Sequence, residues 1–280
     1  MKNKKIIFLI FLLMGFYACS TVKFGYNWAD YLLYRRIDKH FDIMPSQEEF
    51  IETKLDKLHI WHRNEELPKY IYFLEEVKHR VKNGIADEDI NWFYKGLRGF
   101  GKGLVNYISK DSIKFLYSLS DSQIKYFEES ISERNEKKLK RIKKPYSEKR
   151  DDLLENAIED VEEWLGDLSK EQEKIVEGFI VVNNKIEMIK YNHQLRSQQR
   201  FIKILKEKKD FDKFSEKLNA WFFNYRRFYT KEYATVVIER RKRTRAMILQ
   251  IDSFATEDQR ENALEKIDNY IKIMKEIQND

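Results

Sequence analysis

Apolar residues recur along most of this chain at intervals of three and four. In the segment SQEEFIETKLDKLHIWH, Phe50, Ile51, Leu55, Leu58 and Trp61 fall at helical spacing with charges between them, the pattern of an amphipathic helix. The same period continues through ISERNEKKLKRIKKPYSEKRDDLLENAIEDVEEWL on both sides of Pro145, and no run of strictly alternating polar and apolar residues occurs. The pattern predicts helices at about 46–62, 65–83, 87–108, 111–117, 121–142, 147–165, 170–207, 211–252 and 257–277. The expected fold is all-α: antiparallel helical hairpins with long C-terminal helices and no sheet.

Helix starts carry a recurring signature. LSDSQ (119–123), LSKEQ (168–172) and ATEDQ (255–259) each place a Ser or Thr three residues before a Gln, and IMPSQ (43–47) and IADED (85–89) are weaker relatives. That spacing is a capping box: the hydroxyl of Ser120, Ser169 or Thr256 accepts from the N3 amide, and Gln123, Gln172 or Gln259 reaches back to the cap's own amide. Leu119 and Leu168, just before two of the caps, can staple the first turn. The uneven intervals do not decide between a helical-hairpin repeat and the good caps that any long helical protein needs.

Composition supports the helical reading. The chain has 9 glycines and 3 prolines in 280 residues, too few for a turn-rich fold,. Its aromatic share of 14% is high. Two readings are open: a core filled by large rings, or a face where Tyr and Phe stand among Lys and Arg, suited to loose binding of unfolded chains.

The N-terminus changes the picture most. MKNKKIIFLIFLLMGFYACS has three lysines in its first five residues and an apolar run of 13 residues from Ile6 to Ala18. This is too short to span a bilayer and has the form of a secretory signal. The only cysteine, Cys19, follows Ala18 at the end of that run, which marks a bacterial lipoprotein whose thiol is acylated after cleavage. Phe16 and Tyr17 depart from the usual lipoprotein box. Ser20 stands where an Asp would retain the protein at the inner membrane, so the expected address is the periplasmic face of the outer membrane of a Gram-negative cell.

The expected organisation is a cleaved signal peptide at 1–18, a lipid anchor and N-terminal segment at 19–45 and an all-helical periplasmic domain at 46–280. The leader carries three lysines and no acid, so cleavage lowers 53 basic residues to 50 against 47 acidic, and the net charge from +6 to +3. With Cys19 acylated, no disulfide supports the fold.

Several stretches together resemble a known family. Tyr26, Asn27, Ala29 and Asp30 are followed by Asp38, Asp42 and Ile43, then by Trp61, His62, Arg63, Glu66, Leu67, Pro68 and Tyr70 of WHRNEELPKY, then by the boxes at 119 and 168. From Cys19 to about 190 the chain resembles bacterial lipoproteins of domain-of-unknown-function family 6279. The resemblance implies an envelope lipoprotein and no known activity. The boxes are also similar, more distantly, to the Leu-Thr-x-x-Gln motifs of the periplasmic Spy and CpxP proteins, which implies chaperone-like binding without assigning residues.

Candidate chemistry is sparse. His59, His62 and Glu66 lie at i, i+3 and i+7, a possible zinc set on a continuous helix. Pro68 disfavours helical geometry at Leu67, and Asn64 is a good cap. The preferred reading is therefore a helix–helix corner in which Trp61 and Tyr70 pack while Arg63 and Glu66 pair or cap helix ends. No Gly-x-Ser-x-Gly, His-Glu-x-x-His or calcium loop occurs, so neither catalysis nor a metal or other cofactor is expected.

The basic runs KKLKRIKK (137–144) and ERRKRTR (239–245), the second preceded by WFFNYRRFY (221–229), would suggest nucleic acid in a cytosolic protein,. Export argues against that. The runs are then either a solvated helix face or a surface for anionic headgroups or acidic clients.

GLRGFGKG (96–103) approaches a phosphate loop, but it follows the helical DEDINWFYK and has Gly103 where a hydroxyl is needed, so no nucleotide is expected,. Gly96, Gly99 and Gly103 form a bare stripe on a helix, favouring a close helix crossing over a hinge.

The functional expectation is a binding or chaperone-like envelope module without catalysis. Its lipid contact is through Cys19, its clients are unfolded or envelope proteins, and its candidate binding residues are Trp61, His62, Arg63, Glu66, Tyr225, Arg226, Arg227, Arg240 and Arg241. The alternative is a structural or accessory outer-membrane lipoprotein with one fixed partner.

Overall fold

The computed structural model describes residues 22–181 and 183–279, so the expected leader at 1–18 and Cys19 lie outside the described residues. Among these residues the chain forms eleven α-helices and no strand. They are α1 (Ala29–Phe41), α2 (Pro45–Trp61), α3 (Leu67–Lys82), α4 (Asp87–Ser118), α5 (Asp121–Ile142), α6 (Tyr146–Leu165), α7 (Lys170–Phe179), α8 (Asn184–Lys206), α9 (Phe211–Phe223), α10 (Lys231–Phe254) and α11 (Glu257–Gln278). A π-helical turn, His62–Glu66, joins α2 to α3, and a 3-10 turn, Tyr225–Phe228, lies between α9 and α10.

Two cores hold seven of these helices together. Ile113, Leu116, Leu119, Ile124, Phe201, Leu205, Phe214 and Leu218 are buried together where α4, α5, α8 and α9 meet, with Phe41 of α1 packed against them. The other lies between α3 and α11. Leu67 packs with Ile273 and Ile277, and Ile71 with Ile267 and Ile271, so the pair runs antiparallel. Each such buried aliphatic side chain contributes about 1.5–3 kcal/mol.

The capping boxes do more than start helices. Gln123 accepts from Ser120 N–H at 2.9 Å while Ser120 Oγ accepts from Gln123 N–H at 3.2 Å; the boxes at Ser169 and Thr256 repeat this arrangement. Beyond the box, the glutamine amides meet in pairs. Gln47 Nε2 donates to Gln123 Oε1 at 3.3 Å, and Gln123 Nε2 donates back to Gln47 Oε1 at 2.7 Å. Gln172 and Gln259 exchange the same two bonds at 2.8 and 3.1 Å.

The second amide proton in every case goes to the carbonyl five residues before the partner. Gln47 donates to Ser118, sharing its proton between Oγ at 3.2 Å and O at 3.5 Å, Gln123 to Asp42 O, Gln172 to Phe254 O and Gln259 to Asp167 O. All four side chains are buried, and every amide is fully bonded, as burial requires. The chain thus carries two amide clasps of the same construction. IMPSQ, a weak relative by sequence because Met44 offers no hydroxyl, supplies the partner of the box at Ser120.

Around Pro68 the structure departs from the expected corner. No break occurs: helix runs from Pro45 to Lys82 through the π-helical turn. Leu67 N–H donates to His62 O, five residues back. The extra residue in this wider turn accommodates a proline that would otherwise clash with the carbonyl four residues before it. Asn64 accordingly caps nothing.

GLRGFGKG is helical throughout, inside the 32-residue α4. What approaches the glycines is a side chain and not a backbone. A Cβ on Gly96 would lie 2.8 Å from Phe73 Cζ and closer still to Cε2, one on Gly103 would lie 3.9 Å from the carboxylate of Glu66, and one on Gly99 would meet nothing within 4 Å. Gly96 and Gly103 therefore receive residues from the facing helix and turn, and Gly99 does not belong to the crossing.

Other element ends also differ. The expected helix at 170–207 is two helices, α7 ending at Phe179 and α8 starting at Asn184. Asn183 caps α8, its side chain accepting from Lys185 and Ile186 N–H. The expected 211–252 helix breaks after Phe223 and restarts at Thr230, which accepts from Tyr233 N–H at 3.2 Å. The expected break between 108 and 111 is absent, and α4 is tied there to α2 by Lys54–Asp111 at 3.0 Å.

Candidate functional site

A groove opens between α5, α8 and α9. Its floor is apolar, formed by Phe127, Ile131, Phe201 and Trp221; its rim carries Arg134, His193, Gln194, Ser197 and Gln198. Its volume is about 490 Å³, within the ordinary range for a binding site.

Helical periodicity places these groups. Phe127, Ile131 and Arg134 lie on one stripe of α5, and His193, Ser197 and Phe201 on the facing stripe of α8. The floor rings are held by each other: Phe201 lies 4.9 Å from Trp221 and 5.7 Å from Phe127, and Phe127 stacks on Phe41 at 4.7 Å. At the rim, Asn135 donates to Gln198 Oε1 at 2.8 Å and accepts from Gln194 Nε2 at 3.1 Å. Amide groups thus line one edge in fixed orientation.

The aromatic stretch 221–229 reaches the same place. Trp221 is in the floor, while His193 stacks on Tyr233 at 3.7 Å and meets Tyr229 edge-on at 5.1 Å. Tyr225, Arg226 and Arg227 stand exposed on the 3-10 turn beside it. Arg227 and Arg200 both lie over Phe228, at 4.8 and 3.9 Å, a cation–π arrangement. Sequence reading identified the aromatics but missed the rim on α5 and α8, because the stripe of α8 was embedded in a long amphipathic run with no unusual residue.

Arg240 and Arg241 lie elsewhere. Arg240 lines a smaller pocket with Lys190, Arg243 and the apolar Leu153, Phe179 and Met247; Arg241 is exposed beside it. Part of the basic run is balanced, since Lys242 pairs with Glu239 at 3.1 Å and Arg245 pairs with Asp87. Burial, with Arg240 adding repulsion, lowers the Lys190 pKa.

Trp61, His62, Arg63 and Glu66 form a third cluster, around the π-helical turn. Tyr26 and Asn27 meet it there, with Tyr26 Oη 3.0 Å from His62 Nδ1 and Arg63 Nη2 donating to Asn27 Oδ1 at 3.0 Å. Burial lowers the His62 pKa and raises that of Tyr26. Trp61 stacks on Tyr107 at 4.0 Å, not on Tyr70. Glu66 is buried and pairs with Lys69 at 2.6 Å, not with Arg63.

The cluster fastens residues 22–28 to the helical body. Among the described residues, no group of three His, Cys, Asp or Glu side chains is placed to hold a metal ion.

Four histidines share one direction. Burial lowers the pKa of His40, His59, His62 and His193, with nearby arginines adding to it at His40, His59 and His193. Each then binds a proton more readily in the unfolded chain. The stability they contribute is complete above the unfolded value near 6.5 and is lost as pH falls through the lower folded values. Urea denaturation is expected to show a lower midpoint at pH 5.5 than at pH 7.5 with unchanged slope; equal midpoints would contradict the burial of these rings.

A family model described as Family of unknown function (DUF6279) matches residues 39–234. The match covers well over half of the chain, which therefore belongs to that family. It includes WHRNEELPKY and three of the four clasp glutamines, but not Gln259. No curated protein and no solved structure matches.

Proposed function

We propose that this member of a family of unknown function is an exported, lipid-anchored envelope protein that works by binding extended polypeptide segments, without catalysis. Cys19 carries the acyl chains, the body faces the periplasm from the outer membrane, and the groove over Phe127, Phe201 and Trp221 takes the client.

The groove is the observation that carries this reading. Its apolar floor suits side chains of an unfolded segment, while Gln194, Gln198 and Arg134 at the rim, oriented by Lys138, Asn135 and His40, set amide and guanidinium groups beside a peptide backbone,. Aromatic and arginine groups in this arrangement are those that dominate binding at protein interfaces. The long helices contribute a rigid support; Phe201 is buried in the core, and Phe127 and Trp221 are the partly exposed rings of the floor.

Ser197→Trp tests the reading by filling the groove with an indole. The wild-type protein is expected to suppress aggregation of a chemically unfolded client at equimolar ratio, and the variant, with unchanged circular dichroism, to bind a labelled unfolded peptide at least about tenfold more weakly. No protection by the wild type, or equal binding by the variant, would overturn it.

A further inference from the structure

The first of the described residues present an apolar face that the other described residues leave about half exposed. Phe24, Trp28, Tyr31 and Leu32 are 64%, 49%, 51% and 55% exposed, and they lie at i, i+4, i+7 and i+8 of the helical stretch from residue 22 into α1. Their rings form a chain, with Phe24–Trp28 and Trp28–Tyr31 each 5.9 Å apart.

The remaining sides of the same stretch are docked: Tyr26, opposite the apolar face, on His62, and Asn27 and Tyr34, on its flank, on Arg63 and on Glu48 at 3.0 Å. The apolar face is therefore held outward by specific contacts. It cannot turn inward without breaking them.

We infer that Phe24, Trp28, Tyr31 and Leu32 lie in the headgroup layer of a lipid bilayer, as a second membrane contact beside the acyl anchor. The inference rests on the reading of Cys19 as lipidated. Phe24 is five residues beyond Cys19, a distance of at most about 18 Å even for extended chain, so the bilayer surface is within reach.

The chemistry also fits that occupant. Trp and Tyr favour the boundary between headgroups and acyl chains, and an interfacial helix sinks its apolar face about 5–10 Å into it. Exposed Arg35, Arg36 and Lys39 follow on α1, where anionic headgroups would meet them. Two contacts fix the body against the membrane where a single tether would leave it free to swing.

The full acylated protein, reconstituted in phosphatidylcholine/phosphatidylglycerol vesicles with bromine on the acyl chains, tests this. Bromine is expected to quench a part of the tryptophan emission that disappears in Trp28→Phe. In Phe24→Ser/Leu32→Ser that quenching is expected to fall at least about twofold while the protein stays on the vesicles.

Quenching that is unchanged in Trp28→Phe, or absent in the wild type, overturns the inference. Mass spectrometry of the Cys19 peptide is read separately, so an acylated protein without Trp28 quenching sinks only the second contact. If Cys19 proves unmodified, the anchor reading fails. Flotation of the same protein with these vesicles then decides the contact: binding lost in the double variant supports it, and no binding overturns it.

Discussion

Replacing Gln123 by Leu is expected to destabilise the protein by about 3 kcal/mol and to lower Tm by roughly 6–12 °C. The side chain is 3% exposed and takes part in bonds to Gln47, Ser120 N–H and Asp42 O,. Leucine matches its volume closely, so the loss is polar and not steric. It leaves the Asp42 carbonyl and one donor and one acceptor of Gln47 facing an apolar group, and an unsatisfied buried polar group costs about 1–3 kcal/mol.

The double variant Gln47→Leu/Gln123→Leu is the control. With both amides gone, two apolar side chains face each other, and the pair is expected to be more stable than the sum of the single losses by about 1–2 kcal/mol. Additive losses would mean that the amides do not act as a unit. The other clasp should behave alike: Gln259→Leu is expected to cost a similar amount, and its effect to add to that of Gln123→Leu.

Gly96 and Gly99 are expected to respond to alanine with opposite signs. Alanine in a helix interior is favoured over glycine by up to about 1 kcal/mol, and at Gly99, where a Cβ meets nothing within 4 Å, that gain is expected in full. At Gly96 the new Cβ would overlap the edge of the Phe73 ring, 2.8 Å from Cζ and closer to Cε2.

That ring has nowhere to go. Phe73 is buried, stacked on Trp92 at 4.6 Å and set edge-on to Phe100 at 5.1 Å,. Displacing it costs about 1–3 kcal/mol and outweighs the helix gain. Thermal denaturation of the two variants should therefore bracket the wild type, with Gly99→Ala above and Gly96→Ala below. Gly96→Ala at or above wild-type Tm would show that the ring yields freely and that the glycine is not needed for the crossing.

The two glycines are identical in sequence reading. Spacing alone groups Gly96, Gly99 and Gly103 as one stripe, and only the facing helix separates them. WHRNEELPKY shows the same limit from another side. Pro68 indicates a disturbance in the helix, and it is there, but a proline is satisfied equally by a corner or by one extra residue in a wider turn. The choice fell to the π-helical turn because α3 packs along α11 and α2 against α1, so the helix axis is held on both sides of the proline.

The groove was legible only in part. WFFNYRRFY signalled an aromatic surface with arginine, and Trp221 and Tyr229 lie at the groove. His193, Gln194 and Gln198 carried no signal, because a polar residue on an amphipathic helix reads as solvated until the neighbouring helix is known.

By itself, the sequence determined the all-helical class and, at Ser120, Ser169 and Thr256, the capping boxes and the helix starts they mark, all consequences of interactions spanning four residues or a single helical period. Tertiary structure alone decided which boxes pair. Gln47 finds Gln123 across 76 residues and Gln172 finds Gln259 across 87, and nothing within the boxes themselves distinguishes that pairing from another. An amide's local bond is written in its neighbours along the chain, but its partner across the fold depends on which helix ends the buried cores bring together.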